Sequence, residues 1–292
     1  MSVFISPDLL LGAPTEFPLT HARIGYRTLL RVDNISVSSA HPDHPGVNAV
    51  SVNTYQFWLP QSLPATLSVE VSEEDEVDYL GIARHTLAGC RVRLQSSVNG
   101  SDWVTHGEAH PDDNRALMLL IAPANARYWR VLIDRDGVGD MPEVGVVFIG
   151  KALAMQRMIY GGHAPITLSR QTTIRPNKSD TGQFLGFSVI RRGIATSVSF
   201  RNLTASWYRS QFDPFVRYAT QGKGPFFFAW RPATFPQEVA YCWTSDDIAP
   251  SNIWLWDGED SDADVLQKII HNATRANVAQ VWVQGQRVHA RT

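Results

Sequence analysis

The hydrophobic pattern of the chain is dominated by short segments in which apolar and polar residues alternate. The clearest is residues 90–96, where a cysteine, a valine and a leucine point to one side and arginines and a glutamine to the other. Such alternation predicts a half-buried β-strand. The Asn99-Gly100 pair that follows predicts a tight hairpin turn, with Trp103 on the returning strand.

Similar segments, separated by turn residues, run through the first half of the chain. Because helical periodicity is almost absent there, the pattern predicts an antiparallel β-sandwich. The other predicted strands of this sandwich are residues 28–38, 67–71, 78–83, 117–121, 127–133 and 144–149.

The second half predicts strands mixed with a helix. Residues 183–191 and 194–203 have strand patterns, and Arg192-Gly193 between them predicts the connecting turn. A helix is predicted to begin with Asp213 as its N-cap. Two aromatic strands, PFFFAW and EVAYCW, complete a β-rich α+β pattern.

These patterns divide the chain into four predicted parts. The first is an extended N-terminal arm, which packs either on a neighbouring subunit or on its own domain. A β-sandwich, a β-rich α+β domain and an acidic helix-hairpin segment follow it. The boundaries are 1–28, 29–152, 153–256 and 257–292.

Composition narrows the class of protein. A hydrophobic content of 44% and a charged content of 18% describe a folded chain. The net charge of −2 argues against a nucleic-acid groove. No apolar run approaches the roughly 20 residues of a membrane span. We expect a soluble protein without a signal peptide, synthesised in a cytoplasm, with Cys90 as a free buried thiol.

Two sets of motifs carry resemblances to known families. The strings VRLQSS, NGSDW and RYWRVLI, between Ile35 and Gly150, resemble the galactose-binding-like β-sandwich of discoidin and coagulation-factor C-type modules. The strings IYGGHAPITLSR, DPFVRYA, PFFFAWRP and PQEVAYCWTSDDIAPSN, between Ile159 and Asn252, resemble siphovirus-type bacteriophage and prophage tail-tip proteins. The second resemblance implies a virion structural role in a ring or hub at the distal end of the tail.

The first resemblance also implies a place for ligand binding. His41, Asp43 and His44 lie on a loop where related modules present ligand-binding groups, so they are candidates for contacts with a glycan. A polar loop stiffened by proline is the alternative. Residues 47–54 contain no aspartate, which weakens any calcium-assisted binding.

Metal and catalytic motifs are weak. His106, His110, Asp112 and Asp113 are residue types that can bind a metal ion. The same residues are also typical of a solvated turn. The acidic run after Asp257 departs from a calcium loop and suits helix capping better. The sequence has no G-x-S-x-G, HExxH or P-loop pattern. We therefore expect no cofactor, no metal and no enzymatic activity.

The aromatic strand at Phe226, Phe227, Phe228 and Trp230 suits a subunit interface, a sugar platform or core packing. We list these residues as a candidate interface. The sequence thus predicts a tail-tip structural protein that assembles as a homo-oligomeric ring, a trimer or a hexamer, with other tail proteins and host surface carbohydrate as partners. A soluble carbohydrate-binding module without a virion role is the alternative.

Overall fold

The computed structural model describes residues 3–71, 75–159, 164–222, 224–245, 247–248, 281–283 and 286–288. Among them, the residues up to 201 and those from 215 to 248 form one compact unit. Residues 202–214 and the two short strands near the C-terminus belong to a second unit. The domain boundaries expected from the sequence stay a prediction.

The described residues form seventeen strands and a few short helices. The strands are β1 (Val3–Ile5), β2 (Arg23–Gly25), β3 (Ile35–Val37), β4 (Ala65–Glu70), β5 (Glu76–His85), β6 (Arg91–Ser97), β7 (Val104–Ala109), β8 (Leu117–Asn125), β9 (Tyr128–Asp134), β10 (Val144–Gly150), β11 (Leu153–Ala154), β12 (Arg170–Lys178), β13 (Phe184–Ile194), β14 (Phe226–Ala229), β15 (Val239–Cys242), β16 (Val281–Val283) and β17 (Gln286–Val288). The helices are α1 (Pro7–Leu10), α2 (Ala205–Trp207) and α3 (Asp213–Thr220), with 3-10 turns at Gly46–Val50 and Ile166–Leu168 and a π-helix at Tyr208–Phe212.

Three stacked sheets build the larger unit. A middle sheet has the order β1-β8-β5-β10. A five-stranded sheet, β3-β4-β9-β6-β7, packs on one of its faces, and a third sheet, β11-β2-β14-β15, packs on the other. The predicted fold class, mainly β with an antiparallel sandwich and a further β-rich part, is confirmed. Strand β1 is an exception, because it pairs with β8 in parallel.

The middle sheet explains the continuous apolar runs in the sequence. In β10, Val147 and Ile149 face the five-stranded sheet, whereas Val146 and Phe148 face the third sheet. Strands β5 and β8 alternate in the same way between the two hydrophobic cores. A strand buried on both faces needs apolar residues at successive positions rather than at alternate ones. No helix within the described residues is long and apolar enough to cross a membrane.

The N-terminal arm pairs within its own chain. Strand β1 lies at the edge of the middle sheet, but β2 lies inside the third sheet, between β11 and β14. In the same region the strand expected over residues 28–38 is reduced to β3, because residues 28–34 form a loop held by the Asn34 side chain.

The turn expected at Arg192-Gly193 is wrong. Strands β12 and β13 are instead joined by residues 179–183, and Gly193 lies inside β13. Ser179 closes the turn, since its hydroxyl and its carbonyl accept bonds from the amides of Gln183 and Gly182. Gly182 has a φ of +82°, which suits glycine. The polar string NKSDTG was therefore the stronger turn signal.

Two further expectations concern helices and the C-terminal hairpin. Asp213 does not cap a new helix, because it has helical dihedrals (φ −57°, ψ −40°) and follows the π-helix directly. The hairpin expected in the C-terminal segment is confirmed by the antiparallel pairing of β16 with β17. The acidic run after Asp257 and its predicted helix lie outside the described residues.

Two ionisable residues, Asp78 and Arg23, lie near each other beside the third sheet. Asp78 of β5 accepts a 2.6 Å hydrogen bond from the amide of Ala152. Burial raises the pKa of Asp78 to about 7, although the nearby Arg23 guanidinium acts in the opposite direction. Arg23 is only 4% exposed, and burial lowers its pKa to about 10. A cavity of about 60 Å³ adjoins both side chains.

The buried carboxyl predicts a pH dependence of stability. The pKa of Asp78 rises from 3.8 in its ordinary state to about 7 in the folded chain. Its contribution to the free energy of unfolding is therefore fully present below pH 3.8 and is lost as the pH rises towards 7. We expect Asp78→Asn to flatten this part of the stability profile, measured by urea unfolding from pH 4 to pH 8. Asp140→Asn, at an exposed position, serves as the control, and parallel profiles for wild type and Asp78→Asn would contradict the assignment.

Candidate functional site

The loop that carries the predicted glycan residues forms a closed turn. The amide of His44 donates to the carbonyl of His41 at 3.0 Å, and the amide of Asp43 donates to Nδ1 of His41 at 3.3 Å. Main-chain bonds with Leu59 hold both ends of the turn. The structure therefore brings His41, Asp43 and His44 together at the surface, with the Asp43 side chain 84% exposed.

Three residues from other elements extend this turn. The Phe57 ring stacks on His44, with centroids 4.1 Å apart, and the Arg84 guanidinium lies 4.7 Å from the Phe57 centroid. Arg84 also forms an ion pair with Glu143, just before β10. We call His41, Asp43, His44, Phe57, Arg84 and Glu143 the loop site.

Arg84 has an unusual backbone. Its φ is +52°, in the left-handed region that few residues other than glycine adopt. Such conformations occur more often at binding and catalytic sites than elsewhere. Sequence reasoning missed Arg84 and Glu143, because only the pairing of β5 with β10 brings them to the loop.

The loop site can bind a polar ligand through hydrogen bonds. Its imidazoles, carboxylates and guanidinium offer both donors and acceptors. Its aromatic ring is already in contact with His44 and Arg84, so stacking on Phe57 is restricted. Asp43 and His41 are the groups most open to solvent.

The second group of candidate ligands does not come together. His106 bonds to the hydroxyl of Ser96 at 2.7 Å, and burial lowers its pKa. His110 instead pairs with Glu108, and Asp113 pairs with Arg115. Throughout the described part of the chain, no group of three His, Cys, Asp or Glu side chains could hold a metal ion. Cys90, predicted as a free buried thiol, is confirmed as such.

The aromatic strand expected at an interface points into the protein. Phe226, Phe227, Phe228 and Trp230 are each less than 10% exposed. Phe227 fills the contact between the third and middle sheets, where a Cβ on Gly81 would lie 2.6 Å from its ring. The predicted subunit interface at these residues is therefore not available at the surface.

A different apolar surface is exposed, on the two-stranded ribbon of β12 and β13. Cross-strand partners share a face of a sheet, as do residues two apart on a regular strand. The pairs Ile174–Val189, Pro176–Phe187 and Lys178–Phe184 therefore lie on one face. The pairs Thr172–Arg192 and Arg170–Ile194 continue the same face, so a polar pair separates Ile194 from the other apolar residues. The opposite face carries Gln171, Thr173, Arg175, Ser188 and Arg191.

Two bulges produce this separation. In a regular strand Phe184 and Phe187 would point to opposite sides, because they are three positions apart. A register shift between Pro176 and Lys178 gives β13 one extra residue, next to Gly186 with its φ of +108°. Both rings then share a face. A second shift, at Ile174, keeps Ile194 on that face as well.

This ribbon face is open to solvent. Phe184 is 66% exposed, Phe187 58%, Ile194 59% and Ile174 49%. We call these residues, with Val189, the apolar ribbon face. Phe184, Phe187, Val189 and Ile174 form a contiguous exposed apolar surface, and such a surface on a folded protein marks a site of interaction. Sequence reasoning missed it, because the misplaced turn put the strands in the wrong register.

Comparisons with known proteins find similarity to parts of solved structures. No family model matches the sequence, and no curated protein matches it. Among solved structures, a pectin-binding carbohydrate-binding module is 15% identical, with a TM-score of 0.36, over 43% of this chain and 92% of that one. The family 32 module of Clostridium perfringens NanJ, in complex with galactose, is 17% identical, with a TM-score of 0.35, over 39% of this chain and 90% of that one. Chitosan-binding module 1 of the Paenibacillus sp. IK-5 chitosanase/glucanase is 13% identical, with a TM-score of 0.36, over 47% and 100% of the two chains.

The burial of the aromatic strand predicts a large difference between two phenylalanines. Phe227→Ala should lower the free energy of unfolding by about 3–5 kcal/mol, because it leaves a cavity between two sheets. Phe187→Ala, on the ribbon, should change it by less than about 0.5 kcal/mol in the dilute chain. Urea unfolding at low protein concentration measures both. Equal effects of the two substitutions would show that Phe227 is not a core residue.

Proposed function

We propose that the protein is a structural component of a bacteriophage-type tail tip, which assembles with further copies of itself through the apolar ribbon face. The proposed role is structural and not catalytic. The exposed ribbon carries the proposal, and the tail-protein strings between Ile159 and Asn252 support it.

The ribbon needs a partner for physical reasons. A two-stranded hairpin is marginal in water unless one of its faces is packed. Here β12 pairs only with β13 within the described residues, and the side chains of both strands are exposed along most of their length. Covering the apolar ribbon face would bury three aliphatic side chains and two phenylalanines, and phenylalanine is a residue type enriched at protein interfaces.

Charge favours a second copy of this chain as that partner. Residues 170–194 contain five basic residues and one acidic residue. The chain as a whole has 26 basic and 28 acidic residues, which leaves 21 basic and 27 acidic residues outside the ribbon. A basic ribbon therefore faces an acidic remainder on any neighbouring copy, and opposite charges steer such an encounter.

A ribbon that docks on a different surface of the next copy makes a head-to-tail contact. Repeated contacts of this kind close into a ring when the rotation between copies permits. We propose a trimer or a hexamer, located at the tail tip of the virion beside other tail proteins. The subunit would be made in the host bacterial cytoplasm before assembly.

The assembly proposal predicts a change in solution mass. We expect the purified wild-type chain to form a ring by sedimentation velocity and electron microscopy. Phe184→Ser with Phe187→Ser should yield monomers, because it removes the centre of the apolar ribbon face. Leu11→Ser with Val138→Ser, two exposed apolar positions elsewhere, should leave the ring intact.

Two results would contradict this role. One is a wild-type chain that stays monomeric at every concentration tested and also fails to enter tail particles when the other tail proteins are present. The other is a ring that survives the double ribbon substitution.

The second part of the proposal concerns glycans. We propose that the loop site contacts host surface carbohydrate, because Asp43 and His41 present exposed hydrogen-bonding groups beside the strained Arg84. A soluble carbohydrate-binding module without a virion role is the alternative, favoured by the same loop site. It predicts a monomer that binds sugar and does not associate with tail proteins.

The glycan role predicts a loss of adsorption. His41→Ala with Asp43→Ala should reduce host adsorption of particles that carry the protein about tenfold or more, since it removes hydrogen bonds to a charged group. Asp140→Asn, exposed in another loop, is the control. Unchanged adsorption by the double variant would remove the loop site from the proposal but leave the assembly role intact.

A further inference from the structure

The five-stranded sheet has an outer, polar face that lies outside both the loop site and the apolar ribbon face. Leu67, Val69, Trp129 and Val131 of β4 and β9 point into the core, so Ser68, Glu70, Tyr128 and Arg130 point outward. An open groove of about 680 Å³ lies on this outer face, a volume within the range of small-ligand sites. It is separate from the loop site, with which it shares no residue.

A row of polar side chains runs across all five strands on this outer face, and its first two members line the groove. Cross-strand pairing aligns Ser36, Ser68, Arg130, Gln95 and Thr105 in that order. Arg130 donates to Gln95 at 2.7 Å, and Gln95 donates to Thr105 at 2.8 Å, so these three side chains are bonded to one another. Within the described residues, the hydroxyls of Ser36 and Ser68 form no such bonds, and both residues line the groove.

One wall of the groove is a preorganised acceptor. Glu70 Oε1 accepts two bonds from Arg127, at 2.7 and 3.2 Å, and one from the Tyr128 hydroxyl at 3.2 Å. These bonds orient the carboxylate, whose side chain is 52% exposed. Its other oxygen, Oε2, has no bonding partner in the part of the chain that the structure describes. The Tyr128 ring lies beside it as an apolar surface, with the Arg127 guanidinium 5.4 Å from its centroid.

The other wall is a tryptophan held in place. Trp103 lines the groove, and the Arg130 guanidinium lies 4.0 Å from its ring centroid. The loop that carries Trp103 spans residues 98–103 and is longer than the tight turn expected at Asn99-Gly100. The Asn99 side chain accepts from the amides of Ser101 and Asp102, and Gly100 has a φ of +75°.

The chemistry of the walls selects a class of ligand. A carboxylate and guanidinium groups lie together, so neither an anion nor a cation meets a uniform field. Nucleic acid is disfavoured, because Asp33 and Glu70 line the groove. A neutral hydroxyl can accept from a guanidinium and donate to a carboxylate at once. The aromatic rings of Trp103 and Tyr128 can pack against the apolar face of a sugar ring.

We propose that this groove, between Trp103 and the Tyr128–Glu70–Arg127 wall, is a second binding site for a neutral saccharide. In this site Trp103 and Tyr128 contact the faces of the sugar ring, and Glu70 Oε2 accepts a hydrogen bond from a sugar hydroxyl. The hydroxyls of Ser36 and Ser68, at the bottom of the groove, form further hydrogen bonds with the sugar. The site goes beyond the proposed function, since it depends neither on the apolar ribbon face nor on the loop site.

The test uses fluorine NMR of the full chain with its nine tryptophans replaced by 5-fluorotryptophan. Trp103→Phe identifies the Trp103 resonance. Galactose, N-acetylgalactosamine, maltose and cellobiose serve as neutral probes, and glucuronate as the anionic comparison, each up to about 20 mM, which is sufficient for a millimolar site. We expect at least one neutral probe to shift the Trp103 resonance saturably.

Variants separate this site from its neighbours. Glu70→Gln should weaken the binding about tenfold, because it removes a charged acceptor. Ser68→Gln, which fills the floor, should abolish the shift. The exposed Trp243→Phe, the ribbon double variant and His41→Ala with Asp43→Ala should each keep it.

Three outcomes would overturn the proposal. The first is a Trp103 resonance that no neutral probe moves. The second is a shift by glucuronate alone, which would assign an anion site. The third is a shift that survives Ser68→Gln but disappears with the loop-site variant, which would place the ligand on the loop site. None of these bears on assembly, so failure here and failure of the ring are distinguishable.

Discussion

Burial of the middle sheet on both faces is the constraint on which the rest of the structure depends. Strands β5, β8 and β10 carry apolar side chains on either side, and a single covering sheet would leave one side in water. The chain meets this requirement with strands from distant positions, β2 near the start and β14 some two hundred residues later. The three layers in turn hold the loops and outer face of the sandwich, on which both proposed sugar contacts lie.

Local patterns in the sequence predicted the elements that short-range interactions determine. The alternation over residues 90–96 identified β6 and its buried face, because a half-buried strand repeats every two residues. The same reasoning did not find the third sheet, since the partner of Phe227 is Gly81, almost 150 residues earlier. Aromatic strands suit a core and an interface equally well, and only the packing distinguishes the two. The ribbon turn was misplaced because Arg192-Gly193 was given more weight than the polar string ending at Gly182.

The candidate sites show the same difference between what neighbouring residues predict and what only long-range pairing brings together. His41, Asp43 and His44 are neighbours in the chain, so the sequence could place them on one loop. Arg84 and Glu143 join them only through the pairing of β5 with β10, and the groove exists only through the register of five strands. Residues that meet across a sheet leave no spacing signal in one sequence. The tryptophan after a predicted hairpin turn was the available signal for the groove.

The bulge beside Gly186 has a consequence for how such a surface can evolve. Because side chains alternate along a strand, one extra residue acts as a phase shift that decides which side chains face a partner. Moving a glycine by one position would exchange members of the two faces without altering the composition of the ribbon. In an assembly of identical subunits the change would occur at every contact at once. A small change in the gene could therefore alter which surface the ribbon binds.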